Sequence, residues 1–229
     1  MAEGFRLRVR YGKTGRLRHL SHLEVIRACE RSVRRAGLPY SVTQGFSPKI
    51  KAAFGPALPV GTAGEREYYD VWLTSYVPAR TVLERLAGAS PAGLAPQAVS
   101  YAGGREPSLS AALTVARYRV LVASPATWPE EFGKVLAGVV GSGTLAVEHK
   151  GKTKVFDLAR SLPEEPRVGS EDGFLVVEIT TRIGQEGSLR PEALVHEALS
   201  SSPKPGSLIA VTRTDLLVEA GKEWLRPME

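Results

Sequence analysis

Hydrophobic and polar positions alternate at the start of the chain and then change to a helical period. Apolar side chains alternate with arginines over residues 5–11, which predicts a strand with one apolar and one basic face. From residue 21 the apolar positions recur every three or four residues, which predicts an amphipathic helix that stops at Gly37. Ser21 and Glu24 form a capping-box pattern at the start of this helix. Its expected buried stripe consists of Leu23, Ile26, Cys29, Val33 and Ala36.

The same patterns predict the remaining elements. In the first half we expect strands at 40–43, 50–54, 66–74 and about 94–101, and a helix from Pro78 to about Ala87. In the second half we expect strands at 113–123, 144–149, 155–162, 174–182 and 208–218, and helices that begin at Pro129 and Pro191. The segment 163–173 is polar and rich in Pro and Glu, which predicts a loop.

The element order is β-α-β-β-α-β, and it occurs twice. It predicts an α+β protein made of two tandem ferredoxin-like halves with antiparallel sheets. Gly, Ser and Pro residues between the halves predict a linker at 103–111. The expected domains are therefore a basic N-terminal domain at 1–102 and a C-terminal domain at 112–229.

This architecture gives the arginines of the first strand a face of their own. Both helices of a β-α-β-β-α-β unit pack on one face of its sheet, so Arg6, Arg8 and Arg10 are expected on the other. They would stand about 6.6 Å apart, close to the spacing of phosphates along a nucleic-acid strand. The alternative is that the row faces acidic side chains of the second domain.

Charge is concentrated in the same region. Residues 1–51 hold twelve Lys and Arg and three acids, a net charge of +9, whereas the whole chain carries +6. Residues 52–229 therefore sum to −3, and the basicity is local. Local basicity indicates a polyanion such as RNA as a partner, although a solvated basic face is the simpler alternative. The predicted nucleic-acid-binding residues are Arg6, Arg8, Arg10, Lys13, Arg16, Arg18, Gln44, Phe46 and Lys49.

The loop at 44–49 carries several groups suited to RNA. Gly45 permits close backbone approach, Phe46 can stack on a base, Gln44 can hydrogen-bond one, and Lys49 can reach a phosphate. The alternative is an ordered turn with the Phe46 ring packed into the core.

Composition excludes several kinds of site. The chain has one cysteine, Cys29, so it can form no internal disulfide and no cysteine-based metal cluster, and we expect no metal and no cofactor. Cys29 is expected to be a small buried apolar residue. No stretch of 18 apolar residues predicts a membrane span, and no apolar core of a signal peptide precedes the first strand. The expected location is the cytoplasm.

Two histidines near the start of the first helix are the candidates for catalysis. His19 and His22 could perform acid–base chemistry on a ribose, as histidines do in metal-free ribonucleases. Alternatively, both are structural residues at the entrance to the helix. Ser21 is interpreted as a helix cap rather than a nucleophile, since the sequence indicates no general base positioned to activate it.

Two motifs resemble a known family. Tyr11, Lys13, Gly15, Arg18, Leu20, Ser21, His22 and Leu23 match one pattern, and Gln44, Gly45, Phe46, Ser47 and Pro48 match another. These motifs resemble the bacterial radical-SAM-linked proteins, a domain of unknown function, with Glu24 standing where that family usually has Asp. Arg213 and Thr214 also resemble residues of that family's closing strand. The resemblance implies association with a radical-SAM protein encoded beside the chain or fused to it, and no established activity.

The chain cannot itself be a radical-SAM enzyme, because the cluster motif of those enzymes needs three cysteine thiolates. The tandem element order is also similar to CRISPR-RNA endoribonucleases and tRNA pseudouridine synthases, at the level of fold alone. The favoured function is an accessory protein that binds RNA through its basic N-terminal face and works with a radical-SAM partner. The alternatives are a metal-free RNA-processing or RNA-modifying enzyme that uses the His19/His22 region, and a protein-only scaffold.

Overall fold

The chain forms two compact units. A computed structural model describes residues 4–103, 106–124, 128–149, 151–184, 187–221 and 223–228. The first unit comprises Met1–Leu113 together with Leu216–Glu229, and the second comprises Thr114–Asp215.

The first unit begins with a strand, a short 3₁₀ helix and a long α-helix. These are β1 (Phe5–Lys13), the 3₁₀ helix Gly15–His19 and α1 (His22–Arg35). They are followed by β2 (Ala52–Phe54), β3 (Ala63–Leu73), α2 (Ala79–Ala89), β4 (Pro96–Tyr101) and the single-turn helix α3 (Leu109–Ala112). The strands lie in the order β4-β1-β3, β2 also pairs with β3, and these pairs are antiparallel.

The start of α1 follows from the sequence as predicted. Ser21 accepts a hydrogen bond from the Glu24 amide, and the Glu24 carboxylate accepts one from the Ser21 amide at 2.8 Å, so the capping box is complete. These hydrogen bonds from Ser21 lower the pKa of the Glu24 carboxyl. One turn apart on the same helix, Glu30 and Arg34 form an ion pair at 4.0 Å.

The core of the first unit lies between its sheet and its two long helices. Leu7, Val9 and Tyr11 of β1 pack with the inner faces of α1 and α2, as the alternation predicts. Cys29 is 4% exposed within this core, which confirms it as a packing residue. Burial raises the pKa of its thiol to about 12.

The second unit has its own helices and core. Its elements are β5 (Leu113–Ala123), α4 (Pro129–Gly141), β6 (Thr144–His149), β7 (Lys152–Asp157), α5 (Leu158–Ser161), β8 (Arg167–Glu171), β9 (Phe174–Arg182), α6 (Pro191–Ser200) and β10 (Ser207–Ala220). The sheet has the order β10-β5-β9-β8, whereas β6 and β7 form a separate two-stranded sheet. Its core includes Phe132 of α4, Val177 and Ile179 of β9, and Leu194 of α6.

Two predictions about the second unit are wrong. The expected strand at 155–162 ends at Asp157 and continues as α5, because Asp157 caps a helical turn by accepting from the Arg160 amide at 3.0 Å. The expected loop at 163–173 contains β8, whose five residues are three polar side chains, a glycine and Val168. Its ladder with β9, rather than its own strand propensity, makes it a strand.

In the first unit, the expected strand at 40–43 is not a continuous strand. Only two isolated bridges form there, one at Tyr40 and one at Val42, among the described residues.

The α+β class with mostly antiparallel strands is confirmed. The two ferredoxin-like halves and the domain bounds 1–102 and 112–229 stay predictions. The compact units differ from those bounds, since Leu216–Glu229 groups with the first unit and β10 thus has residues in both. The linker prediction covers residues 104–105, which lie outside the described residues, and α3, whose Leu109 is fully buried. None of the described helices combines the length and apolar character needed to span a bilayer.

Candidate nucleic-acid interface

The arginines of β1 lie on the sheet face opposite α1, as predicted, but Arg6 and Arg8 are paired within the first unit. Arg8 is 3% exposed, and its Nε and Nη2 donate to the Asp70 carboxylate at 2.8 and 3.1 Å. Asp70 is fully buried and lies directly across from Arg8 in the β1–β3 register. A buried arginine held by two hydrogen bonds is a structural ion pair.

Arg6 makes a second fork on the same carboxylate. Its Nε and Nη2 reach Asp70 Oδ2 at 2.8 and 2.5 Å. Its remaining hydrogen bonds go to the carbonyls of Glu106 and Pro107, at 2.8 and 2.9 Å. The expected row of accessible guanidinium groups therefore does not form, because the neighbouring strand supplies a carboxylate. Arg10 is half-buried, and its Nε has no hydrogen-bond partner among the described residues.

Lys13 and His22 lie at one small cavity inside the first unit. Lys13 is 2% exposed, and its Nζ lies 3.5 Å from the Pro59 carbonyl oxygen. The cavity is also lined by Tyr11 and by Glu67, which is 3% exposed. Sequence reasoning missed Glu67, although a carboxylate inside a strand is a signal for a buried partner. Three of the motif residues thus converge on one buried polar site.

The two histidines have different surroundings. His22 is half-buried and its ring packs edge-on against Phe54, with centroids 6.1 Å apart. His19 is exposed, and its Nε2 accepts from the Arg18 Nε at 3.2 Å. Arg16 is exposed on the same 3₁₀ turn, and Arg18 is half-buried. The catalytic role of His19 and His22 stays a prediction.

A short two-stranded segment, residues 40–52, projects from β3, and we call it the ribbon. Bridges join Tyr40 to Leu73 and Val42 to Ile50. Thr43 closes the ribbon below its tip, because its amide donates to the Lys49 carbonyl at 2.8 Å and its Oγ1 accepts from the Lys49 amide at 3.1 Å. The predicted loop at 44–49 is therefore the tip of a hydrogen-bonded structure.

Phe46 is fully exposed at this tip. The alternative in which its ring packs into the core is therefore wrong. Gln44 and Lys49 are exposed on either side of it. Gly45 has a φ of 144°, a conformation that residues with a Cβ rarely adopt. The backbone conformation at this position therefore explains why the motif has a glycine there.

The ribbon lies within a stretch of chain that has no acid. Residues 31–64 contain five Lys and Arg and neither Asp nor Glu. Besides Lys49, the ribbon exposes Lys51, whose Nζ lies 4.9 Å from the centroid of the half-buried Trp72 ring. The sequence analysis did not select Lys51 and Trp72 as site residues. They are 21 positions apart in the chain and meet only through the register between the ribbon and β3.

The outer face of α1 carries a second set of accessible cations. Arg27, Arg31, Arg34 and Arg35 are all exposed, whereas Val25, Ala28, Cys29, Ser32 and Val33 are buried. Positions three and four apart are neighbours on a helix surface, so these arginines form one stripe. The 3.6-residue period places these arginines outside the core, as observed. The predicted buried stripe is wrong at Leu23, which is 65% exposed, whereas Val25 and Ala28 are buried.

The second unit offers a surface of different character. A groove of about 310 Å³ runs over the sheet and is lined by Arg117, Tyr118, Arg119, Glu164, Glu165, Arg167, Glu178, Ile179, Thr180 and Thr214. In the register, Glu178 lies between Arg119 on one side and Arg167 on the other. Arg119 also pairs with Glu171. The cations of this groove are therefore interleaved with carboxylates.

Among the described residues, no group of three or more His, Cys, Asp or Glu side chains is placed to hold a metal ion.

Several solved structures are similar to the chain. A Cbf5–Nop10–Gar1 complex is 11% identical with a TM-score of 0.47, covering 93% of this chain and 49% of that chain. An H/ACA ribonucleoprotein bound to a substrate RNA containing 2′-deoxyuridine is 10% identical with a TM-score of 0.44, covering 92% and 47%. An archaeal box H/ACA Nop10–Cbf5 complex is 11% identical with a TM-score of 0.43, covering 92% and 47%. The chain thus spans about half the length of each.

Proteins with curated descriptions include no match to this chain. A family match, in contrast, runs through both compact units and covers residues 6–191. The chain therefore belongs to the family described as uncharacterized protein conserved in bacteria (DUF2344).

Proposed function

We propose that the chain is an accessory protein that binds RNA through the first unit. The observation that carries this proposal is the acid-free stretch 31–64, which combines exposed cations with a fully exposed aromatic ring. Clustered exposed cations attract phosphates, and an exposed aromatic side chain is typical of surfaces that bind RNA. Arg34 lies 4.0 Å from Glu30, so the proposal depends on Arg31, Arg35 and the two lysines of the ribbon. We call the exposed groups of this stretch the basic surface; it comprises two patches, Arg31, Arg34 and Arg35 on α1 and Phe46, Lys49 and Lys51 on the ribbon.

The proposal sorts the residues predicted from the sequence into two roles. Arg10, Arg16, Arg18, Gln44, Phe46 and Lys49 are proposed as RNA contacts. Arg6, Arg8 and Lys13 are proposed to support the surface from within, because their charged groups are held by Asp70, by backbone carbonyls or inside the unit. A guanidinium group already shared with a buried carboxylate has little left to offer a phosphate.

The partner is proposed to be a radical-SAM protein. The support is the resemblance of the motifs at 11–23 and 44–48 to radical-SAM-linked proteins, whereas the description of the matched family names no partner. We also propose that the two units are ferredoxin-like halves. Each contains a four-stranded arrangement in which the first strand lies between the last and the third, namely β4-β1-β3-β2 and β10-β5-β9-β8.

RNA binding is tested by titrating the whole chain against a labelled single-stranded RNA at several salt concentrations. The expected result is a linear fall of log affinity with log salt concentration. The double variant Lys49→Ala/Lys51→Ala should lower the slope by about 1.4, since each phosphate contact contributes about 0.7 for single strands.

The matched control is Arg80→Ala, which removes a cation that is equally exposed but paired with Glu84 at 2.9 Å. It should leave the slope unchanged. An absence of salt-dependent binding by the unmodified chain would refute the proposal. Co-purification with a radical-SAM protein of the same genome, in the absence of RNA binding, would instead support the protein-only scaffold.

A second candidate is a metal-free RNA-processing or RNA-modifying enzyme. The observation that favours it is the cavity at which His22, Lys13, Tyr11 and Glu67 meet. Buried ionisable groups around one cavity are the arrangement in which acid–base chemistry occurs. Turnover of RNA by the isolated chain, lost in His22→Ala but retained in His19→Ala, would identify this function. Binding of RNA without turnover would leave the accessory role.

A further inference from the structure

The ribbon tip has a feature that phosphate binding alone does not require. Phe46 is fully exposed, and Val42 in the same ribbon is 53% exposed. Isolated apolar side chains on a surface are common, so exposure by itself decides nothing. Phe46, however, lies at the end of a hydrogen-bonded ribbon. The Gln44 amide precedes it in the chain, and the ammonium groups of Lys49 and Lys51 follow it.

We infer that the ribbon tip binds unpaired nucleotides, with the Phe46 ring as the stacking platform for a base. The inference rests on the proposed RNA-binding function and names its substrate class as single-stranded or looped RNA. Base faces are accessible to an aromatic ring only where the nucleotides are unstacked. In an A-form duplex the faces lie inside the helix and the deep major groove admits no side chain.

The neighbouring groups fit the same ligand. Gln44 lies two residues before Phe46, and its amide can both donate to and accept from the edge of a stacked base. Lys49 lies three residues after Phe46, and its ammonium group can contact an adjacent phosphate. The glycine at 45, with its positive φ, lets the chain turn at the tip, and Pro48 restricts the other side.

The charge around the tip favours RNA over a protein as the occupant. An exposed phenylalanine can also anchor a protein interface, where its neighbours are usually apolar. Here the accessible groups of the ribbon include Gln44, Lys49 and Lys51 beside the apolar Val42, and no carboxylate lies within 31–64. A polyanion with exposed π faces satisfies both the ring and the cations.

The test compares a single-stranded RNA with a duplex of the same length at one salt concentration, by fluorescence anisotropy. Phe46→Ala should weaken binding of the single strand roughly 5- to 150-fold, the range measured when a base-stacking aromatic is removed. It should leave duplex binding and the salt slope unchanged, since no charge is lost. Phe46→Trp should retain affinity, and its added indole fluorescence should be quenched by the single strand.

Val42→Ala is the matched control, because it removes an exposed apolar side chain from the same ribbon without removing an aromatic ring. It should bind both RNAs as the unmodified chain does. Equal loss of single-strand and duplex binding in Phe46→Ala, or no loss of either, would overturn the inference while RNA binding itself stands. Loss of binding to a protein partner with RNA binding intact would assign the ring to a protein interface. Absence of RNA binding by the unmodified chain would refute the proposed function first and this inference with it.

Discussion

The first unit contains two sets of cations that look alike in the sequence and differ in the structure. Arg6 and Arg8 of β1 converge on Asp70, and Arg8 is 3% exposed. The cations of α1 and the ribbon are exposed, and the segment from 31 to 64 has no carboxylate. A basic face in the sequence is thus an accessible basic surface only if the elements packed on it bring no acid.

The comparison also separates two energetic roles. A buried arginine–carboxylate pair gains little net stability over an apolar pair, but removal of one partner leaves an uncompensated charge. An exposed cation contributes little to folding and remains available to a ligand. Substitutions should therefore affect the free energy of unfolding in one set and binding in the other.

The largest effect is expected for Asp70→Ala. It leaves the charges of Arg6 and Arg8 without their buried carboxylate, which should lower the free energy of unfolding by about 3–5 kcal/mol. Urea denaturation followed by circular dichroism measures this change. Glu65→Ala is the control, because Glu65 is an exposed acid on the same strand, and it should change stability by less than about 0.5 kcal/mol. Equal effects of the two variants would contradict a special role for the Asp70 cluster.

A smaller effect is expected at the helix that displays the arginine stripe. Ser21→Ala removes the cap of α1 and should cost about 1 kcal/mol of stability. The lowered pKa of Glu24 means that its carboxylate favours the folded state above the usual pKa of a glutamate. This contribution should be lost as the pH falls through the pKa of the folded state, and Ser21→Ala should weaken that pH dependence. A pH profile identical to that of the unmodified chain would show that the capping box is not the source.

Lys51→Ala should have a mixed effect, because Lys51 lies over Trp72 and is also exposed. Loss of the cation–π contact should cost about 0.5–1 kcal/mol of stability. The slope of log RNA affinity against log salt concentration should fall by about 0.7. Denaturation and RNA titration of the same preparation give both values. A change in stability without a change in slope would place Lys51 with the structural cations.

The smallest effect on folding is expected for the arginine stripe of α1. Arg31→Ala should change stability by less than about 0.5 kcal/mol, since the side chain is exposed. It should nevertheless lower the salt slope by about 0.7, as should Arg35→Ala. RNA titrations alongside Arg80→Ala, which should leave the slope unchanged, make the comparison. Unchanged slopes in both stripe variants would remove α1 from the proposed RNA contact.

Local patterns were sufficient where one segment decides its own conformation. The 3.6-residue period and the Ser21–Glu24 pair located α1 and its cap, and the alternation of 5–11 located β1 and its two faces. Local patterns were insufficient at β8, which depends on its ladder with β9. The helical turn after Asp157 is also local, but its cap was overlooked in favour of the strand pattern.

The fold class, the place of the basic region, the capping of α1 and the burial of Cys29 could all be predicted from the sequence alone. They follow from periodicity, composition and hydrogen bonds between residues close in the chain. The accessibility of each cation depends instead on contacts between distant segments, because Asp70 lies 62 residues from Arg8 and meets it through the β1–β3 register. The tertiary structure likewise placed the Phe46 ring outside the core, since a turn sequence does not specify which neighbours, if any, will cover it.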